Sequence, residues 1–258
     1  MAGFTVVEPA EVTPADVYGA LGREVAGGVT GRRLSPDGFP LWLLAADLDD
    51  GTRLAWPETH GDEVVYVLSG ALAVEGRICP TAGAVVVESG VASAVEARGA
   101  TRIVHAGPVD PRSPRGGLNG DPDPEGHSVH VVGPRGTWAA VTGERDTHFY
   151  ADSTCPTCRL TLLYTSRSVP YVSPAHSHSV DELIHLVAGE VWVGRRRLGP
   201  GATLAIAAHR RYGFRSGSEG FAFLNYRADA SQQTLGRGTP PVKEGGAAHG
   251  LEPVMDLL

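Results

Sequence analysis

An internal repeat is the feature of this 258-residue sequence that most restricts its fold. Residues 39–63 and 158–182 have the same length and the same order of apolar stretch, polar turn, short apolar stretch and proline-containing bend. Both end in Asp-Glu, and the match continues without a gap, because DEVVYVLSG at 62–70 corresponds to DELIHLVAG at 181–189. This fixed spacing predicts that the chain contains two copies of one small domain.

A third block extends the repeat and indicates what kind of domain is repeated. Residues 76–87 (GRICPTAGAVVV) correspond to residues 194–206 (GRRRLGPGATLAI), with one extra residue in the second copy. The repeated segments are rich in Val, Leu and Ile, which favour strands. The 34 Gly and 19 Pro residues of the chain favour tight turns over long helices. The sequence therefore predicts an all-β fold.

Outside the repeat, the sequence predicts one helix and two segments without a packed structure. Residues 13–25 (TPADVYGALGREV) fit a short N-terminal helix, with Thr13 as the N-cap and Pro14 at the first helical position. Residues 108–126 are rich in Pro, Gly and Asp and predict a linker, and residues 231–258 predict a flexible tail. The predicted domains are an N-terminal domain at 1–107 and a C-terminal domain at 127–230.

Composition and charge exclude several classes of protein. No apolar stretch approaches the roughly 18 residues that span a membrane, and the first residues lack the basic start and apolar core of a secretion signal, so we expect a cytoplasmic protein. A formal net charge of −7 argues against a nucleic-acid partner. The three cysteines cannot supply a disulfide framework. Cys155 and Cys158 have the spacing of a structural thiol pair, a reversible disulfide or half of a zinc site, and these alternatives stay open.

A polar cluster in the second copy is the strongest indication of chemistry. It consists of His176 and His178, with one residue between them, followed by Glu182. Residues two apart on a strand face the same side, so the two imidazoles and the carboxylate can project from one face. Two His and one carboxylate bind divalent first-row metals and leave coordination positions open. His185 stands at odd spacing from Glu182 and is expected to face away from the metal.

The segment that contains this cluster resembles the first sequence motif of the cupin superfamily. In that motif a His-x-His pair precedes a Glu, and a Gly follows after six residues, as Gly189 does here. Residues 201–212 are similar to the second motif in spacing. The resemblance covers both copies, so the chain is similar to a bicupin. It implies two tandem small antiparallel β-barrels, with the metal motif retained only in the C-terminal barrel.

The second motif departs from the family pattern at three positions. The family has Pro, Gly and a third metal-binding His where this sequence has Ala207, His209 and Tyr212. Tyr212 is expected to lie in the pocket, as a metal ligand or as the catalytic acid or base. Alternatively, His209 supplies the third imidazole, or Tyr212 packs on the barrel wall. Arg211 at the pocket mouth and Tyr226 on a late strand are the candidate substrate-binding residues.

The first copy lacks most of the residues of this cluster. At the positions of the two histidines and the tyrosine it has Pro57, Thr59 and Ala94, and only Glu63 is retained. A single carboxylate is a poor metal site. We therefore expect a metal-free N-terminal barrel that serves as a scaffold or in dimerisation, and a homodimer as the assembly.

The resemblance implies several function classes, because the cupin fold carries many activities. The expected function is a metal-dependent enzyme with one active site in the C-terminal barrel. We expect a dioxygenase-like oxidoreductase that uses Fe(II) on a small organic substrate. The alternative is a lyase, isomerase or hydrolase that uses Zn²⁺, Mn²⁺ or Ni²⁺ as a Lewis acid. A further alternative is a non-catalytic bicupin that binds a ligand.

Overall fold

The structure is a computed structural model, and it describes residues 3–111, 127–142, 145–152, 155, 157–168, 170–236 and 238–244. Within these residues the regular elements are strands and two short 3-10 helices, Pro9–Glu11 and Gly19–Leu21. The strands are β1 (Phe4–Val7), β2 (Glu24–Ala26), β3 (Val29–Arg33), β4 (Leu41–Leu48), β5 (Arg53–Trp56), β6 (Glu63–Val74), β7 (Arg77–Pro80), β8 (Ala84–Val87), β9 (Ser93–Pro108), β10 (Val129–Val132), β11 (Trp138–Thr142), β12 (Arg145–Ala151), β13 (Thr161–Arg167), β14 (His176–His178), β15 (Glu182–Val193), β16 (Arg196–Leu198), β17 (Thr203–Ile206), β18 (Arg215–Arg227), β19 (Gln232–Leu235) and β20 (Val242–Lys243). The prediction of an all-β fold is confirmed.

The prediction of an N-terminal helix at residues 13–25 is wrong. The segment contains only the 3-10 turn Gly19–Leu21 and the beginning of strand β2. The backbone N–H of Ala15 donates to the carbonyl of Gly31, 3.0 Å away, so the chain joins the adjacent strand instead of bonding to itself. Gly22 then adopts a left-handed conformation with φ of 66°, which ends the turn. Tertiary contacts override the local capping signal here.

The repeat reappears as two antiparallel sheets with the same central order of strands. The first sheet runs β10-β8-β6-β9-β4-β3, with β2, β5 and β7 at its margins. The second sheet runs β1-β17-β15-β18-β13-β12-β11, with β16 beside β15. Strands β8, β6, β9 and β4 of the first sheet therefore correspond to β17, β15, β18 and β13 of the second. Closure of these sheets into two barrels stays an expectation from the family resemblance.

Each half of the chain contributes one edge strand to the sheet of the other half. Strand β1, at the beginning of the chain, pairs antiparallel with β17, with Phe4 opposite Ile206. Strand β10, which follows the predicted linker, pairs with β8, with Val129 opposite Val87. The predicted boundaries of the domains stay a prediction, and residues 112–126 of the linker lie outside the described residues.

An apolar core joins the two sheets to each other. Tyr66 of β6 meets Tyr150 of β12 edge to face, with ring centroids 5.4 Å apart. The hydroxyl of Tyr150 also lies 2.7 Å from the carbonyl oxygen of Ala82 and 2.9 Å from that of Pro134. One buried cluster thus draws residues from both halves of the chain. The sheets are packed as one unit at this contact.

A small third sheet brings the C-terminal segment towards the second sheet. Its order is β14-β19-β20, with His176 opposite Leu235 and His178 opposite Gln233. Strands β19 and β20 lie in the segment that the sequence predicts as a flexible tail, and residues 237 and 245–258 of that segment lie outside the described residues. The two histidines of the predicted metal cluster lie in this sheet. Among the described residues, no helix has the length and apolar character needed to cross a membrane.

Candidate functional site

Strand β14 turns His176 and His178 to the interior and Ser177 outwards. The two imidazoles are buried, whereas Ser177 is half-buried, which matches the alternation of a strand. Two backbone hydrogen bonds between His176 and Tyr212, of 2.8 and 2.9 Å, attach the strand to the segment before β18. The ring centroids of the two histidines are 5.0 Å apart. The cluster predicted from the sequence is thus assembled in one buried place.

The orientation of both imidazoles is set by hydrogen bonds at Nδ1. In His176 this nitrogen lies 2.8 Å from the carbonyl oxygen of Pro174. In His178 it lies 2.6 Å from Oε2 of Glu244. Because each Nδ1 has an oxygen acceptor, Nδ1 carries the proton of the neutral imidazole, and Nε2 is then the nitrogen that can bind a metal. Histidines that bind metals in proteins are oriented in this way by carboxylates or carbonyl groups.

Glu182 begins strand β15 and faces the same interior. Its Oε2 accepts a hydrogen bond of 2.8 Å from the amide of Asn225, and its Oε1 lies 3.8 Å from Nε2 of His178. Burial raises the pKa of this carboxyl, but His178 and Arg227 outweigh burial and bring the pKa below its ordinary value. Glu182 is therefore ionised. The Oδ1 atom of Asn225 is buried and has no hydrogen-bond partner among the described residues, so an acceptor remains open in this pocket.

Arg227, on strand β18, lies among these groups. Its Nε and Nη2 are 3.3 and 3.2 Å from Oε2 of Glu182, and its Nη1 is 2.9 Å from Oε2 of Glu244. Nη2 also approaches Nε2 of His178 at 3.4 Å. Burial raises the pKa of Glu244, but Arg227 and His178 lower it to about 2. Two carboxylates and one guanidinium leave the cluster with one net negative charge.

Tyr212 stands beside the histidines, and His209 does not. The ring of Tyr212 is 4.5 Å from that of His176 and 6.1 Å from that of His178, measured between centroids. Burial and the charge of Glu182 raise the pKa of Tyr212 well above its ordinary value, so the phenol keeps its proton. His209 is exposed, with a left-handed φ of 61°, and its backbone N–H donates to the carbonyl of His178. The turn thus carries its imidazole outside the pocket.

The pocket around these groups has a volume of about 300 Å³ and walls of aromatic rings. Phe221 and Phe223 stack at 5.3 Å between centroids, and Phe214 meets Phe221 edge to face. Two further cations, Arg145 and Arg167, line the same pocket. Its lining therefore combines apolar rings with positive charge.

The two residues expected to bind substrate lie elsewhere. Arg211 is exposed and donates from Nη2 to the carbonyl of Ala175, 2.5 Å away. Tyr226 is buried in the core between the sheets, and its hydroxyl donates to the carbonyl of Asp62 at 3.1 Å. Neither belongs to the lining of the pocket. Because β18 alternates, it is the next residue, Arg227, that faces the histidines.

Sequence reasoning missed three residues of this cluster. They are Asn225, Arg227 and Glu244. The first two lie two positions apart at the end of the apolar strand FAFLNYR at 221–227, so they face the same side of the sheet. Their spacing was a detectable signal of a polar interior face. Glu244 carried no such signal, because it lies in the polar segment that predicts a tail.

The corresponding place in the first sheet is filled by side chains. Arg23 binds Glu63 through Nη2 and, at 3.3 Å, through Nε. Trp56 donates to the same carboxylate at 2.6 Å, and Nε2 of His105 lies 3.0 Å from it. Gly107 occupies the position that corresponds to Arg227, and an added Cβ would come within 2.6 Å of the ring of Trp42. The retained glutamate of the first copy is therefore neutralised by an internal arginine.

The donor set of the second sheet fits a divalent cation in its chemistry. The Nε2 atoms of His176 and His178 and the carboxylate of Glu182 are ligands that first-row metals take, and the cluster carries net negative charge. The side chain of Arg227 stands among these donors. Among the described residues, the three donors are not a group whose ligand atoms all lie within 4.8 Å of one another. They converge on an ion only if Arg227 moves aside.

Cys155 and Cys158 lie apart from this pocket, before strand β13. Both are free thiols, and Cys158 is buried. Hydrogen bonds from Cys158 and Thr157 lower the pKa of Cys155 to about 6, although burial opposes them. Cys155 therefore carries thiolate character at neutral pH.

Comparison with solved structures shows the fold of this chain. No protein-family model matches the sequence, and no curated protein matches it. A mutant of oxalate decarboxylase from Bacillus subtilis has a TM-score of 0.63 at 13% identity, over 89% of this chain and 78% of that chain. The putative glyoxylate-induced protein from Pseudomonas aeruginosa also has a TM-score of 0.63 at 13% identity, over 88% of both chains.

A second structure of Bacillus subtilis oxalate decarboxylase, from a study of its Mn(II) centres, has a TM-score of 0.60 at 12% identity, over 87% of this chain and 77% of that chain. Identities this low establish similarity of fold alone. The fold of this chain is accordingly the one seen in these oxalate decarboxylase and glyoxylate-induced proteins.

Proposed function

We propose that the pocket of the second sheet is the active site of a metal-dependent enzyme that acts on a small organic carboxylate. The observation that carries this proposal is the arrangement of the two histidines. Each has Nδ1 fixed to an oxygen acceptor, which leaves Nε2 as the nitrogen that can bind a metal, and both lie in a buried pocket with Glu182.

In this proposal His176, His178 and Glu182 hold the metal. When bound, a divalent metal supplies a Lewis acid or, as iron, a centre that activates oxygen. Arg227 lines the pocket and can receive a substrate carboxylate, since a planar guanidinium matches the geometry of that group. The hydroxyl of Tyr212, beside Glu182, is placed to hold or donate a proton. The aromatic walls exclude water from the reacting groups.

For the reaction itself, we propose first a dioxygenase-like oxidation with Fe(II). Two His and one carboxylate leave coordination positions for oxygen and substrate. A non-redox reaction with Mn²⁺ or another redox-inert ion is the second candidate. It is favoured by the shared fold with oxalate decarboxylase, whose Mn(II) centres are the subject of one of the matching structures, and by the phenol of Tyr212 as an acid.

The test begins with metal analysis of protein purified without chelators. We expect a divalent metal in the wild type and the loss of about one bound ion per chain when His176 and His178 are both replaced by Ala. His148→Asn is the matched control, because its imidazole lies 2.9 Å from Asp146 and does not line the pocket. Unchanged metal content in the double variant contradicts the proposal.

The reaction class is tested with a panel of small mono- and dicarboxylic acids. Oxygen uptake that requires iron and disappears in the double variant supports the dioxygenase. Turnover without oxygen uptake, restored by Mn²⁺, supports the second candidate. Substrate recognition is tested separately with Arg227→Gln, for which we expect KM for a carboxylate to rise by about tenfold or more. An unchanged KM in that variant contradicts the role of Arg227.

A further inference from the structure

A second group of metal-ligating side chains lies where the segment before β13 meets the first sheet. Glu88 follows β8, His130 lies on β10, and Cys155 belongs to the Cys-x-x-Cys segment. Three different parts of the chain thus supply one carboxylate, one imidazole and one thiol. Their ligand atoms all lie within 4.8 Å of one another.

The spacing of these atoms is close to that around a bound zinc ion. The Sγ of Cys155 is 3.6 Å from Oε1 of Glu88, and Nε2 of His130 is 2.9 Å from the same oxygen. Zinc bonds of roughly 2.0–2.3 Å in a tetrahedron place neighbouring ligand atoms about 3.3–3.8 Å apart. The distance from Glu88 to Sγ of Cys155 falls in this range, and the distance from Glu88 to Nε2 of His130 is about 0.4 Å shorter than its lower end.

Cys158 is the candidate for a fourth ligand. Its backbone N–H donates to Sγ of Cys155 at 3.1 Å, and its thiol also forms a hydrogen bond with the thiol of Cys155. The Cys-x-x-Cys spacing is common in structural zinc sites, because the short turn lets both sulfurs reach one ion. Thr157, between the two cysteines, donates to Oε1 of Glu88 at 2.6 Å and orients the carboxylate.

Glu88 differs from the other two buried glutamates in the kind of cation that faces it. Glu88 has no exposed side-chain surface, as is true of Glu63. Glu63 is paired with Arg23, and Glu182 is paired with Arg227. The partner of Glu88 is the imidazole of His130, 2.9 Å away, whose pKa is raised by Glu88. The charge that faces Glu88 is therefore carried by a side chain that can itself bind a metal.

We propose that Glu88, His130, Cys155 and Cys158 form a zinc site separate from the pocket of the second sheet. Thiolate and imidazole ligands favour zinc over hard ions such as Mg²⁺ or Ca²⁺. The ion fastens the segment that precedes β13 to strands β8 and β10, and so attaches the second half of the chain to the first sheet. This role is structural and does not depend on the proposed enzyme activity.

Cobalt binding tests this site, because a thiolate ligand gives Co²⁺ an intense charge-transfer absorption that histidine and carboxylate ligands do not give. The full-length protein is stripped of metal with a chelator and titrated with Co²⁺. We expect this absorption in the wild type and in the variant with His176→Ala and His178→Ala. We expect Co²⁺ affinity at this site to fall at least about tenfold in Cys155→Ser. Cys79→Ser, which changes the other cysteine, is the matched control and keeps the absorption.

Thermal unfolding with Zn²⁺ provides a second measurement that does not rely on the spectrum. Zinc that binds the folded protein raises Tm, and we expect this rise in the wild type and in the double histidine variant but not in Cys155→Ser. Each protein is compared with its own metal-free form, so a general loss of stability does not affect the result. Two results overturn the proposal: a Co²⁺ affinity and charge-transfer absorption that are unchanged in Cys155→Ser, or a Cys155–Cys158 disulfide in protein isolated with its thiols trapped.

Discussion

The buried histidine of strand β15, His185, makes the stability of this protein depend on pH in a way that can be calculated. Its imidazole is buried on the face away from the candidate metal ligands, and Nδ1 lies 2.9 Å from the hydroxyl oxygen of Thr203. Burial lowers the pKa of His185 from 6.5 to about 4. The imidazole is therefore neutral in the folded protein at pH 7, and it gains a proton more readily in the unfolded chain.

The sign and size of the effect follow from proton linkage. Because the folded pKa is depressed, the unfolded chain binds more protons, and the free energy of unfolding decreases as pH falls from about 6.5 to about 4. The difference between the ordinary and the folded pKa corresponds to about 3 kcal/mol in total. About 2 kcal/mol of this is lost by about pH 5.

Urea denaturation of the wild type and of His185→Asn measures this contribution. Asn keeps a polar group near Thr203 but does not titrate, so its packing defect is the same at every pH. The difference in unfolding free energy between the two proteins should therefore shrink by about 2 kcal/mol between about pH 8 and about pH 5. A difference that stays constant over this range refutes the assignment of a depressed pKa to His185.

Three further substitutions test how the first sheet is filled and how the sheets are joined, each by urea denaturation. Glu63→Gln leaves the buried guanidinium of Arg23 without its carboxylate, and should cost about 3 kcal/mol or more. Gly107→Ala forces a methyl group against the ring of Trp42 and should cost about 1–3 kcal/mol. Tyr150→Phe removes the hydroxyl that hydrogen-bonds to the carbonyl groups of Ala82 in the first half and Pro134 in the second, and should cost about 1–2 kcal/mol.

Matched controls separate these effects from general damage. Gly199→Ala adds a methyl group with no atom within 4 Å, and should leave stability unchanged or slightly higher. Glu190→Gln removes a carboxylate that pairs with the exposed Arg197, and should change stability by less than about 1 kcal/mol. If Gly107→Ala behaves like Gly199→Ala, the filled interior described for the first sheet is wrong. If Glu63→Gln behaves like Glu190→Gln, the ion pair with Arg23 does not neutralise a buried charge.

The central strands of both sheets could be predicted because the repeated blocks of sequence correspond to them. The blocks at 62–70 and 181–189 became the long strands β6 and β15, and the blocks that follow became β8 and β17. Apolar alternation and Gly-rich turns specify such strands locally. The same local information failed at residues 13–25, where a capping pattern indicated a helix. The chain there bonds to β3 instead, and sequence near that point contains no sign of this partner.

The pairing of the acidic groups was beyond the reach of local reasoning. Glu63 and Arg23 are 40 positions apart, and Glu182 and Arg227 are 45 positions apart. Whether two such residues meet depends on which strands are neighbours and on their register. A shift of one residue would turn every side chain of a strand to the opposite face. The pairing of β1 with β17 and of β10 with β8 likewise joins residues that are far apart in the sequence.

The sequence by itself determined the all-β class, the repetition of one strand order in two sheets and the pair of histidines that share one face of a short strand. These properties depend on residues that are near one another in the chain, where periodicity and turn residues act directly. Only the tertiary structure decided which cation faces each buried glutamate: Arg23 for Glu63, Arg227 for Glu182, and no Arg or Lys among the described residues for Glu88. Burying a carboxylate requires compensation, and the partner is chosen by strand register, which no local pattern specifies.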